Sequence, residues 1–199
     1  AADLAREACE IEIDVLREPI GYQDQWASAL GGANLIRFVG GDVQVESIGL
    51  TAARIAQLEE NLHLVPVGAP RSASDLLASQ QSGVSAGSKA ESTTRRLVGL
   101  VDQGRQALLT SLDDLGPLLD EAWQLKREVS QGVTNPEVDA IYERGISSGA
   151  TGGKLLGAGG SGYLAFYVPN DASGQFTTVF PEQLAFTLSN QGAGIIHES

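Results

Sequence analysis

The sequence predicts an α+β protein with an antiparallel sheet, on three observations. Apolar residues recur at helical spacing in the middle of the chain, which predicts helices over residues 97–108 and 115–129. Two strand-like runs, 34–39 and 43–48, are joined by Gly-Gly-Asp, which predicts a hairpin. Apolar runs at 62–67 and 163–168 predict two more strands, and no internal repeat is visible.

The elements near the start follow from local signals. Residues 4–16 carry apolar side chains at a helical period, and Pro19 ends this helix because it cannot continue the hydrogen-bond ladder. A polar stretch from Gly21 leads into residues 26–30 and the breaker at 31–32.

Later elements are predicted in the same way. Residues 72–81 favour a helix and 82–88 a loop rich in Gly and Ser. Asn135 followed by Pro136 predicts a helix start, because Asn caps and Pro fits the first turn. The tail from Gly174 is weakly patterned, apart from a last strand at 194–197.

Composition narrows the classes of partner. Lys and Arg total 13 against 25 acidic residues, a formal charge of −12, so nucleic acid and anionic membrane surfaces are disfavoured. Hydrophobic residues make up 42% of the 199 residues, which predicts one packed core or two lobes sharing a cleft.

Cysteine usage indicates the compartment. The single Cys9 has no intramolecular partner, and we expect it to be a small buried hydrophobic residue. A reducing cytosol fits this better than secretion, so a cytoplasmic location is predicted. The sequence contains no signal peptide and no apolar run approaching the roughly 20 residues of a membrane helix.

A glycine-rich segment satisfies the pattern G-x-G-x-x-G at Gly157, Gly159 and Gly162. That pattern binds dinucleotides when a strand precedes it and a helix follows it. We expect the reverse here, a helix before the segment and the strand 163–168 after it, which disfavours dinucleotide binding. Two interpretations stay open: a tight connection that needs positive φ and close packing, or a loop whose backbone N–H groups contact a ligand.

The stretch G-A-T-G-G-K-L-L-G-A-G-G-S-G-Y over residues 149–163 resembles the third motif of the GHMP kinases. This superfamily includes galactokinase, homoserine kinase, mevalonate kinase and phosphomevalonate kinase. The sequence of this motif is most similar to that of the branch containing D-glycero-D-manno-heptose 7-phosphate kinase, although that pattern often has Gly where this chain has Ser161. The resemblance implies that Gly157, Gly159, Gly160 and Ser161 contact ATP and that Lys154 contacts the substrate.

Asp24 is by chemistry alone one of many carboxylates, here expected to be partly enclosed before Trp26. A carboxylate in a cleft can orient a sugar hydroxyl and accept its proton during phosphoryl transfer. The stretch E-P-I-G-Y-Q-D-Q-W-A resembles the catalytic-acid segment of sugar-directed GHMP kinases. This implies a catalytic role for Asp24 and substrate contacts for Gln23 and Gln25.

Further segments extend the resemblance. G-A-P-R-S-A-S-D is similar to a family segment that reads T-R-x-A-S, so Arg71 is either a ligand for an anionic group or an exposed surface residue. W-Q-L-K and T-N-P-E-V-D resemble the heptose-kinase branch. Core packing is favoured for Trp123, helix capping explains Asn135, and Lys126 faces either solvent or the cleft.

Other chemistries lack support in the sequence. His63 and His197 have no Cys or acidic partner at ligand spacing, so no zinc site is predicted. No G-x-S-x-G elbow occurs and Cys9 has no nearby base, so acyl transfer is not indicated.

The resemblance covers the chain to about Pro169 and implies a segment of an ATP-dependent sugar kinase. Residues 1–68 would be the end of the family's N-terminal lobe, and residues 69–199 a ferredoxin-like C-terminal domain with an antiparallel sheet. ATP and Mg²⁺ would be the cofactors and a sugar phosphate, heptose 7-phosphate first, the acceptor. A homo-oligomer is left open.

The family's phosphate loop, of the type P-x-x-x-G-L-G-S-S-A, does not occur in these residues. We therefore expect the main Mg²⁺ ligands in an N-terminal part upstream, and little or no activity from the 199-residue chain alone. The alternative is a non-catalytic GHMP-like domain that binds a sugar phosphate or mediates assembly. An amino-acid or mevalonate-type kinase is disfavoured because the Asp-Gln-Trp stretch resembles sugar-directed relatives.

Overall fold

The structure is a computed structural model that describes residues 1–68, 89–129, 132–157 and 159–194. The predicted helix over 72–81, the loop over 82–88, Arg71 and most of the predicted last strand lie outside the described residues. The chain divides into two compact units: Ala1–Thr51 with the chain from Thr187 onward, and Ala52–Phe186. The domain boundary expected after Gly68 stays a prediction.

The first unit contains two helices and a hairpin: α1 (Ala2–Cys9, continued by a π-helical segment, Glu10–Val15), α2 (Gln23–Leu30), β1 (Asn34–Val39) and β2 (Asp42–Ser47). The predicted hairpin is confirmed. Gly40 and Gly41 form its turn with φ of 60° and 91°, as two-residue hairpin turns require. Cys9 is buried beside Trp26 in a small helical core, as predicted.

The second unit contains these elements: α3 (Ala52–Asn61), β3 (Leu62–Val67), α4 (Lys89–Leu109), a 3₁₀ turn (Leu112–Asp114), α5 (Leu115–Val129), α6 (Pro136–Ser147), β4 (Gly152–Leu155), β5 (Gly162–Tyr167) and α7 (Asn170–Val179). The predicted central helices and the strands at β3 and β5 are confirmed. The helices α3 and α7 and the strand β4 were not predicted. Within the described part of the chain, no helix has the length and apolar character to cross a membrane.

The sheet of the second unit has the order β3-β5-β4, with β5 antiparallel to both neighbours. Leu184, beyond α7, donates its N–H to the Leu64 carbonyl at 2.8 Å. This isolated antiparallel bridge lies on the free side of β3, where a fourth strand of the sheet would pair. The succession strand, helices, two strands, helix and bridging segment is that of a ferredoxin-like βαββαβ fold. The predicted α+β class with an antiparallel sheet is confirmed.

Aromatic side chains fill the space between this sheet and its helices. Phe166 of β5 lies 5.5 Å from Phe176 of α7 and 5.9 Å from Tyr142 of α6, measured between ring centroids. Trp123 of α5 is fully buried in the same core, as expected. The β4–β5 hairpin is thus fixed from one face by large rings.

Candidate functional site

Asp24 lies at the second position of α2, and its side chain is exposed. The expected partial enclosure of this side chain is therefore wrong. Asp24 does line a cleft of about 330 Å³ within the first unit. The residues that line this acid cleft are Leu4, Ala8, Glu12, Asp24, Gln25, Ser28, Ala29 and Ala193. A carboxylate in the first turn of a helix is stabilised by the helix dipole and stays accessible here.

Gln25 lines the same cleft, but it is buried, with 8% of its surface exposed. Its Nε2 donates to the Glu12 carboxylate, whereas its Oε1 is buried and has no hydrogen-bond partner among the described residues. A buried amide oxygen without a donor is uncommon, and a ligand hydroxyl could reach this one after the side chain turns. Gln23, the first residue of α2, is exposed and does not line the cleft.

The glycine-rich segment connects two antiparallel strands. The expectation that a helix directly precedes it is wrong, because Gly152, Gly153 and Lys154 belong to β4. Strand β5 follows the loop, so the helix that a dinucleotide site needs after the glycines is not there. Two glycines in a four-residue strand weaken the strand signal, which explains why β4 could not be recognised from the sequence.

The two glycines of β4 are required by packing. A Cβ on Gly152 would lie 1.9 Å from the carbonyl oxygen of Gly116, where α5 crosses the strand. A Cβ on Gly153 would lie 2.6 Å from the ring of Phe166. Close packing therefore explains these two glycines, which precede the glycine pattern of residues 157–162.

Gly159 and Gly160 fix the loop to the turn before α6. A Cβ on Gly159 would lie 2.6 Å from Cγ2 of Val133 and 2.9 Å from its Cα, and the φ of Gly159 is 119°. Gly160 donates its N–H to the Val133 carbonyl at 2.9 Å. The Gly160 carbonyl accepts from Nδ2 of Asn135 at 2.7 Å.

Asn135 serves both the helix and the loop. Its Oδ1 accepts from the backbone N–H groups of Glu137 and Val138, each at 3.0 Å, which confirms the predicted cap of α6. Because its Nδ2 also holds the loop at Gly160, the same side chain sets the position of the loop relative to the helix.

The part of the loop that adjoins open space is smaller than the motif suggested. An added Cβ on Gly157 would meet nothing within 4 Å, so open space adjoins this residue. Among the described residues, the N–H groups of Gly157, Gly159 and Ser161 donate to no backbone carbonyl. These three N–H groups are not consecutive, because the Gly160 N–H between the last two donates to Val133, but each can donate to an anion by itself.

Two lysines lie at this loop. Lys126 of α5 donates from Nζ to the Gly157 carbonyl at 2.6 Å, so its ammonium lies against the loop. Burial, and then the nearby ammonium of Lys154, lower the pKa of Lys126 to about 8. Burial also lowers the pKa of Lys154, which lies in β4. Lys126 and Lys154 are 28 positions apart, so no local pattern could have brought them together.

The remaining site predictions concern Arg71, metal binding and His63. Arg71 lies outside the described residues. Among the residues that are described, no group of three or more His, Cys, Asp or Glu side chains could hold a metal ion. His63 is buried, and its Nδ1 lies 2.5 Å from Oε1 of Gln183.

Comparison with known proteins adds a family match and two curated relatives. The family described as GHMP kinases C terminal matches residues 105–176. D-glycero-alpha-D-manno-heptose 7-phosphate kinase from Campylobacter jejuni is 27% identical over 167 residues, covering 83% of this chain and 49% of the relative. The bifunctional fucokinase/GDP-fucose pyrophosphorylase of Arabidopsis thaliana is 31% identical over 150 residues, covering 72% of this chain and 14% of the relative. The chain thus spans about half the length of the first relative and much less of the second.

Solved structures share the fold. A D-glycero-D-manno-heptose 1-phosphate kinase from Bacteroides thetaiotaomicron has a TM-score of 0.70 at 21% identity, covering 94% of this chain and 52% of that one. Lactococcus lactis galactokinase, solved with galactose, has a TM-score of 0.61 at 16% identity, covering 92% of this chain and 58% of that one. At these identities the likeness is one of fold.

Proposed function

Since this chain carries a GHMP kinase C-terminal domain and is homologous to heptose phosphate kinases, we propose that it is part of an ATP-dependent sugar kinase. The reaction is transfer of the γ-phosphoryl group of ATP to a hydroxyl of a sugar phosphate, with heptose 7-phosphate the first acceptor to test. A cytoplasmic location accompanies this proposal. The other part of the protein, which the chain's 49% coverage of its relative leaves room for, would supply the main phosphate loop.

The observation that carries the proposal is the acid cleft, which is lined by the accessible carboxylate of Asp24 and by Gln25. Asp24 would orient the acceptor hydroxyl and take its proton as phosphoryl transfer proceeds. Gln25, which lines the same cleft, would accept a hydrogen bond from a second hydroxyl once its buried Oε1 turns toward the cleft. A polyol offers several hydroxyl donors at short spacing, which suits two adjacent acceptors.

The glycine loop would help to bind the phosphoryl groups. The free N–H groups of Gly157, Gly159 and Ser161 and the ammonium of Lys154 are donors suited to an anion. Gly160 would act indirectly, because its N–H and carbonyl are already bound within the protein. Mg²⁺ would arrive with ATP and neutralise its phosphates, and we assign none of its ligands to the described residues.

The test is Asp24→Asn in the full-length protein, assayed for ADP release with ATP and heptose 7-phosphate. We expect kcat to fall by about 100-fold or more, with KM for the acceptor within about threefold. The matched control is Asp42→Asn, which removes an exposed carboxylate of the same unit at the hairpin turn and should leave kcat unchanged. An unchanged rate for Asp24→Asn would refute its catalytic role.

Two further measurements separate the kinase from a non-catalytic sugar-phosphate-binding domain. Galactose and fucose tested beside heptose 7-phosphate identify the acceptor class. Saturable binding of heptose 7-phosphate by the full-length protein, with no ADP release at any acceptor, would instead favour the binding domain. Robust turnover by the 199-residue chain alone would contradict the expectation that it needs the rest of the kinase.

A further inference from the structure

We propose that Lys126 and Lys154 together form a phosphoryl-binding site at the start of the glycine loop, with Lys126 contacting the ligand directly. We call these two residues the lysine pair. The inference deepens the proposed kinase function and rests on it for the source of the phosphoryl group. It adds Lys126, which lies outside the glycine motif, to the candidate site.

The lysine pair comes from two elements that pack together, and Lys154 lies near enough to Lys126 to lower the pKa of Lys126. Lys154 lies in β4, and Lys126 lies near the end of α5, the helix that packs against this strand. The packing is close because Gly116 and Gly152 approach each other with no side chain between them. The bond from Lys126 Nζ to the Gly157 carbonyl then places its ammonium two residues beyond the end of β4.

The hydrogen-bond capacity of the lysine pair is mostly unused. Each ammonium has three N–H donors, and among the described residues the Gly157 carbonyl is the one acceptor found for the six. No carboxylate in the described ranges forms an ion pair with either lysine. Asp139 of α6 is paired with Arg127 of α5 at 3.2 Å.

Neighbouring acids on α5 are also engaged elsewhere. Glu121 lies 3.4 Å from Arg96 of α4, and Asp120 accepts from the hydroxyl of Tyr142. In a chain with a formal charge of −12, two half-buried cations that have no carboxylate partner among the described residues are unexpected. Burial of like charges is tolerated when a ligand of opposite charge completes the site.

A phosphoryl group fits this site better than a carboxylate does. Its two negative charges match two ammonium groups, and its several oxygens can use the remaining N–H donors. The free N–H groups of Gly157 and Ser161 belong to the same loop, and open space adjoins Gly157. The phosphate of the sugar acceptor and the phosphates of ATP share this chemistry.

The direct test uses the 199-residue chain, which has three lysines, Lys89, Lys126 and Lys154. With lysine labelled at Cε, their NMR signals are followed while inorganic phosphate is added. We expect saturable shifts at Lys126 and Lys154, with the pKa of Lys126 rising in the complex, and the Lys89 signal as the internal reference. Signals of the lysine pair that do not respond up to about 50 mM phosphate would overturn the proposal, because a site with two ammonium groups should bind a phosphate dianion well below that level.

The kinetic test uses the full-length protein and distinguishes the two sources. Lys126→Met should raise KM at least about tenfold for one phosphorylated substrate, and Lys126→Arg should restore part of it. A change in the KM of heptose 7-phosphate identifies the acceptor's phosphate, whereas a change in the KM of ATP identifies the nucleotide. Unchanged KM values for both substrates would overturn the proposal.

Control variants distinguish loss of the phosphoryl-binding site from a general loss of charge or of folding. Arg95→Gln removes a cation on the exposed face of α4, where it pairs with Glu91, and should change neither KM nor the phosphate shifts. If Lys126→Met fails to fold, Lys126→Arg and the phosphate titration of the unmutated chain still decide. If the full-length protein transfers no phosphoryl group at all, the kinase proposal fails while the NMR titration still reports on the site.

Discussion

Replacing Gly159 by Ala should destabilise the second unit much more than the same change at Gly157. Both residues have positive φ, 119° and 71°, so both substitutions place an L side chain in a disfavoured backbone region. They differ in what the new methyl group meets. At Gly159 it would lie 2.6–2.9 Å from three atoms of Val133, and at Gly157 it would meet nothing within 4 Å.

The magnitudes follow from these contacts. For Gly159→Ala, backbone strain of about 1–3 kcal/mol adds to an overpacking cost of about 1–3 kcal/mol. The reduced entropy of the unfolded chain returns about 0.4–1 kcal/mol, so the free energy of unfolding should fall by about 2–5 kcal/mol. For Gly157→Ala the overpacking cost is absent, and a net loss of about 1 kcal/mol is expected.

The assay is urea unfolding of both variants and of the unmutated chain, followed by far-ultraviolet circular dichroism, with midpoint and slope fitted separately. Val133 is 1% exposed, and its backbone carbonyl holds Gly160, so it cannot move aside without cost. Equal losses for the two alanine variants would refute the assignment of Gly159 to packing and Gly157 to the open side of the loop.

Three further predictions concern ionisation and hydrogen bonding. The folded pKa of Lys126, about 8, is below the 10.5 of the unfolded chain, so its burial penalty is complete below pH 8 and is relieved as pH rises. The unfolding free energy of the unmutated chain relative to Lys126→Met should therefore increase from pH 8 to about 10 in urea titrations. Tyr167→Phe removes a 3.0 Å bond to Asp113 and should cost about 1–3 kcal/mol in the same assay. Asn135→Asp keeps the cap oxygen but loses the donor to Gly160, so it should cost about 1 kcal/mol, and Asn135→Ala about 1 kcal/mol more.

Local signals predicted much of the fold where they were strong. The Gly40–Gly41 turn and the Asn135 cap each have a backbone requirement that few residues meet, and both were located correctly. Helix α7 was missed because Asn, Ser, Gly and Thr are poor helix formers. It forms because Phe176 is buried against the rings of the sheet, a tertiary contact that no local window contains.

The motifs of the candidate site could be recognised from the sequence. Which of their residues are needed for packing and which adjoin open space could not. Residues 157–162 contain four glycines, and a motif treats them as equivalent. The structure distinguishes the two: Gly159 has no room for a side chain because Val133 lies against it, whereas Gly157 adjoins open space. The sequence also left Lys126 undecided, since its contact with the loop depends on how α5 crosses β4.

This separation bears on how far a glycine motif can identify an enzyme. Gly152, Gly153 and Gly159 would be retained by any protein with this sheet and these helices, catalytic or not, because a Cβ would collide with the core. A non-catalytic domain of the same fold would therefore keep most of the motif. The residues that packing does not require are the exposed Asp24 and the two cations of the lysine pair, whose burial lowers their pKa values. If the proposed function is correct, substitutions at these positions should reduce phosphoryl transfer while leaving the fold intact, whereas substitutions of the packed glycines should disturb the fold itself.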